Sequence, residues 1–537
     1  MSQARLSPAD NRLTSTAAGG QAIHNHELQP PSLRYTTGTF CSTLPLCVPV
    51  VSKCGHLDNR PYPSGTFIHI LDQDSLLHIF YICRPVLLDE DETDDGRILR
   101  GGVWTRERWW YKLAQVCRRW RYLILGSAHY LRLSLVCSRG TPVAEMLEHS
   151  PPLPLIIDHV YRSDLITAED EEGIKLALQH HDRIRRICLL MPVPDLQKVI
   201  VALDNEFPML EWLYIQPPAK VHTSLILPKS FRAPHLRYLK LSNFAFPIGS
   251  PLLSTAVGLV TFSLDWISPS VYFHPNELVH RLSQMPQLET LGITFHSPVP
   301  NCDVKRELLR RPLMTHFTLP NLRWFAFGGA SAYLEALLPC ITTPRLAKLQ
   351  VFFFNQLTFH LPHLLQFLNA AENLRFSSAT LLFNGKRISA MVYPNKEARM
   401  YALHMELGCR HLDWQVASTA RIFSVLGSAF TAVEHLTLEY RGYGASSEWR
   451  NEADRTQWHD LLRSFNNVKT LRVANWLMGQ LSRSLQLQDG ELPLELLPGL
   501  MELSYSSLPD TDAFTAFINA RRIAGRPVTV VRHNSYL

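Results

Sequence analysis

His360 and His363 stand three residues apart, a spacing that lets two imidazoles share one helix face and hold a metal ion. Pro362 lies between them and no carboxylate accompanies them, so satisfied or solvent-facing histidines are expected instead. Cys41, Cys47, Cys54 and His56 come nearest to a metal-ligand cluster, yet their intervals match no zinc pattern, and none of the ten cysteines forms C-x-x-C. Reaction motifs are missing too. There is no phosphate-cradling G-x-x-x-x-G-K-[ST], no G-x-S-x-G elbow and no H-E-x-x-H. Gly442 and Gly444 begin a G-x-G that no third glycine completes. With 23 histidines and 47 acidic residues, chance pairs are inevitable, and none forms a general acid–base constellation. The sequence therefore predicts no catalytic residues, no cofactor and no metal.

Binding is the remaining class of function, and charge narrows it. A net charge of +6 over 537 residues is too dilute for a nucleic-acid footprint. The clusters Arg183, Arg185, Arg186 and Arg310, Arg311 read as solvated faces. A hydrophobic content of 46% with 19% charged residues describes a folded chain, long enough for several domains or one long array. The apolar patch Leu44–Val51 is shorter than the roughly twenty residues that span a bilayer, and no charged-then-apolar leader opens the chain. No membrane partner, reduced thiols and a cytoplasmic or nuclear location are expected.

Residues 1–65 are rich in Ser, Thr, Pro, Gln and Gly without periodicity and are expected to form a disordered tail. Leu71, Leu76, Ile79 and Phe80 then fall at helical intervals, with Asp72 and Asp74 near the helix start and Pro85 at its end. The run Asp89-Glu90-Asp91-Glu92-Thr93-Asp94-Asp95 repels itself and reads as a solvated insertion. A second helix is predicted from Thr105 to Leu125, carrying Trp109, Leu113, Val116, Cys117, Trp120 and Leu123 on one stripe and stopping at Gly126. Its opposite face holds Arg106, Lys112, Arg118 and Arg121. Two tryptophans on one stripe require a large apolar partner surface.

From Ile184 the pattern apolar-x-x-apolar-x-apolar recurs. Strong copies are Ile184/Ile187/Leu189, Leu210/Leu213/Ile215, Leu236/Leu239/Leu241, Leu259/Phe262/Leu264, Leu288/Leu291/Ile293, Leu322/Phe325/Phe327 and Leu346/Leu349/Val351. Weaker copies sit at Phe376/Ala379/Leu381 and Ala402/Met405/Leu407, and good ones return at Val433/Leu436/Leu438, Val468/Leu471/Val473 and Leu500/Leu503/Tyr505. Early first positions are spaced 23 to 29 residues apart, the period of a leucine-rich repeat with one strand and one helix per unit. Prolines 208, 234, 286, 320, 344 and 498 each precede a first position by two residues and mark a helix-to-strand switch. Between strands, Leu196, Val199, Ile200 and Leu203 give one helix face with Asp195 placed to cap it, and Trp458, Leu461, Leu462 and Phe465 repeat the arrangement. No Asn or Cys ladder follows the third apolar position, so the repeats should be irregular. The expected fold is α/β: a helical module over 66–135 and a solenoid over 136–537. Residues alternating with the buried strand positions, among them Trp212, Tyr214, Tyr238, Lys240, Trp324, Lys348, His435 and Arg472, should line its concave surface and are the candidate target-binding residues.

The Leu71–Phe80 segment resembles the first helix of an F-box, usually L-P-x-E-L-L-x-x-I-F, with Asp72 replacing the proline and Asp74 the common glutamate. Val116-Cys117-Arg118-Arg119-Trp120-Arg121 is similar to its V-C-[RK]-x-W-[RK] core. Together with the array, the chain resembles fungal F-box proteins with degenerate leucine-rich repeats. That resemblance implies a non-catalytic substrate receptor of a cullin–RING ubiquitin ligase. Leu71, Leu76, Ile79, Phe80, Val116, Cys117 and Trp120 would bind or support the Skp-type adaptor, and the repeats would bind an unidentified protein substrate. The alternative is a leucine-rich-repeat scaffold outside any ligase.

Overall fold

The computed structural model describes residues 71–85, 107–161, 166–218, 225–297, 316–354, 359–441, 453–486, 492, 494–506 and 514–533. All of them belong to one compact unit, Ser64–Leu537. The expected tail 1–65 with Cys41, Cys47, Cys54 and His56, the acidic run Asp89–Asp95, Thr105, Arg106, Arg310, Arg311, Gly442 and Gly444 lie outside the described residues.

The architecture is mixed α/β around a large, mostly parallel sheet. β1 (Leu135–Ser138), β2 (Leu155–Val160), β3 (Ile184–Leu190), β4 (Trp212–Gln216), β5 (Tyr238–Ser242), β6 (Thr261–Ile267) and β7 (Thr290–Phe295) lie side by side in chain order, every pair parallel. β8 (Phe317–Thr318) and β10 (Ile341–Thr342) form a separate two-stranded pair, so β9 (Trp324–Gly329) follows β7 directly and β11 (Lys348–Phe353) follows β9. In-register pairing carries Ile187, Leu213, Leu239, Phe262, Leu291, Phe325 and Leu349 across seven neighbouring strands. A one-residue slip would turn all of these to the opposite face, so burial fixes the register.

Each apolar position of the twelve sequence triplets is buried. The helices between strands bury their own stripes in the same cluster, as Leu196 and Val199 of the Val193–Ile200 helix do. The six prolines occupy one repeated position. Leu210, Leu236, Leu288, Leu322, Leu346 and Leu500 each donate a backbone N–H to the carbonyl three residues back, namely Phe207, Ala233, Met285, Leu319, Thr343 and Leu497. Each bond closes a four-residue turn with proline second, where its fixed φ is already the one required.

One strand and one helix per repeat does not hold throughout. β12 (Ser378–Phe383), β13 (Ile388–Tyr393) and β14 (Leu403–Leu407) form an antiparallel meander, and the sheet order across them is β11-β14-β13-β12 before β15 (His435–Tyr440). The two weak triplets, Phe376/Ala379/Leu381 and Ala402/Met405/Leu407, fall on β12 and β14, the outer members of this meander. The cause is local. Asn384-Gly385 opens a reversal in which the Asn384 side chain accepts from the N–H of Lys386 and of Arg387, turning β12 back into β13. Parallel order resumes through β15, β16 (Thr470–Val473), β17 (Glu502–Ser506) and β18 (Thr529–His533).

The helix expected from Thr105 to Leu125 is two helices over its described part. α1 (Gln73–Ile82) is followed by α2 (Trp109–Ala114) and α3 (Arg118–Gly126). At the break Cys117 is extended and its Sγ accepts from the Trp120 N–H, starting α3 as an N-cap. Arg121 Nε donates to the Ala114 carbonyl at 3.0 Å, satisfying the last turn of α2. Cys117→Ser, with a stronger acceptor, is expected to preserve the thermal midpoint. Cys117→Ala should cost about 1 kcal/mol, read by calorimetry.

Candidate binding surfaces

α1 begins at Asp72, whose carboxylate accepts the Ser75 N–H at 2.8 Å and the Ser75 hydroxyl at 2.9 Å. Those bonds hold its pKa below the ordinary carboxylate value. The aspartate found where the resembled pattern has proline is therefore a helix cap. Leu71 precedes the helix and is half-buried; its carbonyl accepts from Arg119 Nη2 at 2.6 Å, tying α1 to α3.

The seven residues assigned to adaptor contact divide into two groups. Leu76 and Phe80 are buried with Leu123 and Ile124. Trp120 packs edge-on against Phe80, ring centroids 4.9 Å apart, and Cys117 caps α3, so these side chains hold the helices together. Ile79 and Val116 point outward, at 37% and 59% exposure. Sequence reasoning missed Ile82 and Tyr122, which are 67% and 79% exposed. Spacing marked an apolar stripe but could not show which of its members the partner helices cover.

The helices are fastened to the sheet. Arg108 Nη2 donates to the Val136 carbonyl, Ser138 Oγ and Thr141 Oγ1 at 2.7–2.9 Å. Trp110 Nε1 donates to the Ser134 carbonyl, and Arg186 pairs with Glu107 at 3.7 Å.

The eight candidate target-binding residues all lie on the sheet face opposite the main core. Trp212 and Tyr238 are register partners with rings stacked 3.3 Å apart, and Tyr214 and Lys240 are the next partners but one. Lys240 Nζ lies 5.6 Å from the Tyr214 ring centre and 3.8 Å from Asp265 Oδ2. Burial pushes the Tyr214 hydroxyl pKa well above its ordinary value. Trp324 and Lys348 are partners on β9 and β11, with Lys348 Nζ 4.9 Å from the Trp324 ring centre and 4.4 Å from that of Tyr401. His435 and Arg472 sit further along, His435 bonded to Thr470 and Arg472 exposed. Sequence reasoning missed Tyr401 and Asp265. Tyr401 precedes its strand, and Asp265 acquires its role only through neighbours on β5 and β7.

His360 precedes the Pro362–Ala370 helix, whose first N–H groups, from His363 and Leu364, are capped by Glu335 at 2.9 Å, so the histidine pair does not share a helix face. Among the described residues no group of three or more His, Cys, Asp or Glu side chains could hold a metal ion, and no helix is long and apolar enough to cross a membrane. A cleft of about 580 Å³ lies between the Leu412–Leu426 and Arg455–Arg463 helices, but Arg463 there already pairs with Asp460 and Glu495. Comparison of the sequence with models of known protein families returns no match, and neither does comparison with curated proteins.

Proposed function

We infer that this chain is a non-catalytic substrate receptor of a Skp–cullin–F-box type ubiquitin ligase. In this reading α1–α3 form the F-box and the sheet with its helices is an irregular leucine-rich-repeat solenoid. One observation carries it: α1–α3 bury Leu76, Phe80, Leu123 and Ile124 yet leave Ile79, Ile82, Val116 and Tyr122 exposed. Apolar side chains held out on a fixed helical framework are how a docking module meets a partner's helices. The array then holds a target near the ubiquitin-charged enzyme, and the acceleration comes from proximity, with the covalent chemistry on other subunits.

Size-exclusion chromatography of the full chain with purified Skp-type adaptor tests the reading. The wild-type chain is expected to co-elute with the adaptor. Ile79→Asp with Ile82→Asp should abolish co-elution, a loss of at least a hundredfold in affinity. Both side chains are exposed, so the thermal midpoint should move little. Separate elution of the folded wild-type chain would leave a scaffold outside any ligase as the surviving reading.

A further inference from the structure

The two ends of the large sheet are finished differently. In a parallel strand the N–H and C=O of one residue point to one neighbour, and those of the next residue point the other way. The Leu135 N–H bonds to the Pro154 carbonyl on the β2 side, so Ser134, Val136 and Ser138 turn their backbone groups to the outer edge of β1. Side chains fill that edge. Trp110 Nε1 donates to the Ser134 carbonyl, Arg108 Nη2 donates to the Val136 carbonyl, and the Ser138 N–H donates to Thr141 Oγ1 at 3.1 Å.

β18 ends the sheet on the other side and has no such seal among the described residues. The Thr529 N–H bonds to the Met501 carbonyl on the β17 side, so Val530 presents its N–H and C=O to the open edge. No described residue bonds to either group. The Val530 side chain is short of a neighbour too. It shares a row with Leu436, Leu471 and Leu503, each 1% exposed or less, yet is itself only half-buried. An unblunted edge centred on a β-branched residue is a template for another strand.

We propose that β18 pairs antiparallel with β18 of a second copy of this chain, about a twofold axis at Val530. At that register each Val530 N–H donates to the Val530 carbonyl of the other copy, and the two isopropyl groups meet on the core side of the joined sheet. Charge selects the antiparallel arrangement. Exposed Arg522 and Arg526 precede β18, and a parallel pair would set each beside its own copy. Arg526 lies four residues before Val530, so antiparallel pairing keeps its two copies roughly 25 Å apart, beyond the screening length at physiological salt. The strand contact covers less than the roughly 800 Å² per partner of a standard interface, so the dimer is weak and concentration-dependent. It needs neither adaptor nor target, and it would give the proposed receptor two docking modules.

Sedimentation velocity of the full chain from about 1 to about 100 μM tests the proposal, with hydrogen exchange of residues 528–533 followed at both limits. The parent should pass from one chain to two, and exchange in 528–533 should slow several-fold at the higher concentration. Val530→Pro removes the outward N–H without costing β18 a bond to β17, and Val530→Lys sets two like charges at the axis. Both should weaken pairing about tenfold or more while exchange in 502–506 shows β17 still folded. Val201→Lys, 72% exposed on the helical turn between β3 and β4, should leave pairing unchanged. A parent that stays a single chain at the highest concentration would overturn the proposal. So would dimers that persist in both Val530 variants, or 528–533 already protected in the single chain, which would mean that the edge is covered from within.

Discussion

Replacing Arg521 with methionine is expected to release the C-terminal end of the sheet from the rest of the protein. The Arg521 side chain is fully buried in the Thr515–Ile523 helix. Its guanidinium donates to the carbonyls of Leu496, Leu497, Pro498 and Leu500 at 3.1–3.4 Å. Burial pushes its pKa down, the signature of a cation held out of water at a cost that these four carbonyls offset. Methionine fills similar volume but leaves the carbonyls without their donor, and lysine cannot reach four acceptors with one ammonium. The loss should be on the order of 3 kcal/mol, confined to the C-terminal strands and helix because the end of a sheet can open locally. Hydrogen exchange should speed up in 494–506 and 514–533 and stay unchanged in β3–β11. Equal protection of the C-terminal segment in variant and parent would show that the buried guanidinium is not the fastener.

Acid should weaken the other end through His159. Its ring is buried on β2, stacked on Tyr161 with centroids 6.0 Å apart, and its pKa is pushed down to about 4. Burial is the main cause; Arg108 adds to it and Asp170 opposes it. Burial also acts to raise the Asp170 pKa, but bonds from Tyr161, the Gly140 N–H and Thr167 outweigh it and leave that carboxylate lowered. For His159 the folded state holds the neutral form, while the unfolded chain takes up a proton near pH 6.5. Stability is therefore complete above pH 6.5, falls as the pH drops, and levels off below about 4, a total of roughly 3 kcal/mol. His159→Phe keeps the ring and removes the titration. The unfolding free energy of the variant should decline less between pH 6.5 and 4.5 than that of the parent. Matching slopes in the two proteins would place the acid sensitivity elsewhere.

The sequence announced the parallel ladder because every strand repeats the same demand: two apolar residues on one face, a third ahead of them and a turn before that. Position alone identified the six prolines, although their role is turn formation at the second residue more than the ending of a helix. Two features escaped. The break at Gln115–Cys117 interrupts a stripe whose helical spacing continues through it, and it depends on contacts made by the Cys117 thiol and Arg121. The β12–β14 meander was hidden by triplets at β12 and β14 that fit a repeat, although Asn384-Gly385 between them was a hairpin signal in plain view. The candidate surfaces were partly legible for the same reason. Strand alternation places Trp212, Tyr238, Trp324 and Lys348 on one face correctly, but helical spacing cannot separate Ile79, which faces water, from Phe80, which faces Trp120.

In the proposed receptor, exposed Ile79, Ile82 and Val116 meet the adaptor and the sheet does not. Hydrogen exchange of the full chain, alone and with saturating Skp-type adaptor, tests it most directly. Slowed exchange is expected only in residues 76–82 and 116–124, with β4–β11 unchanged. Protection of the sheet strands with no change in those two helical segments would contradict it.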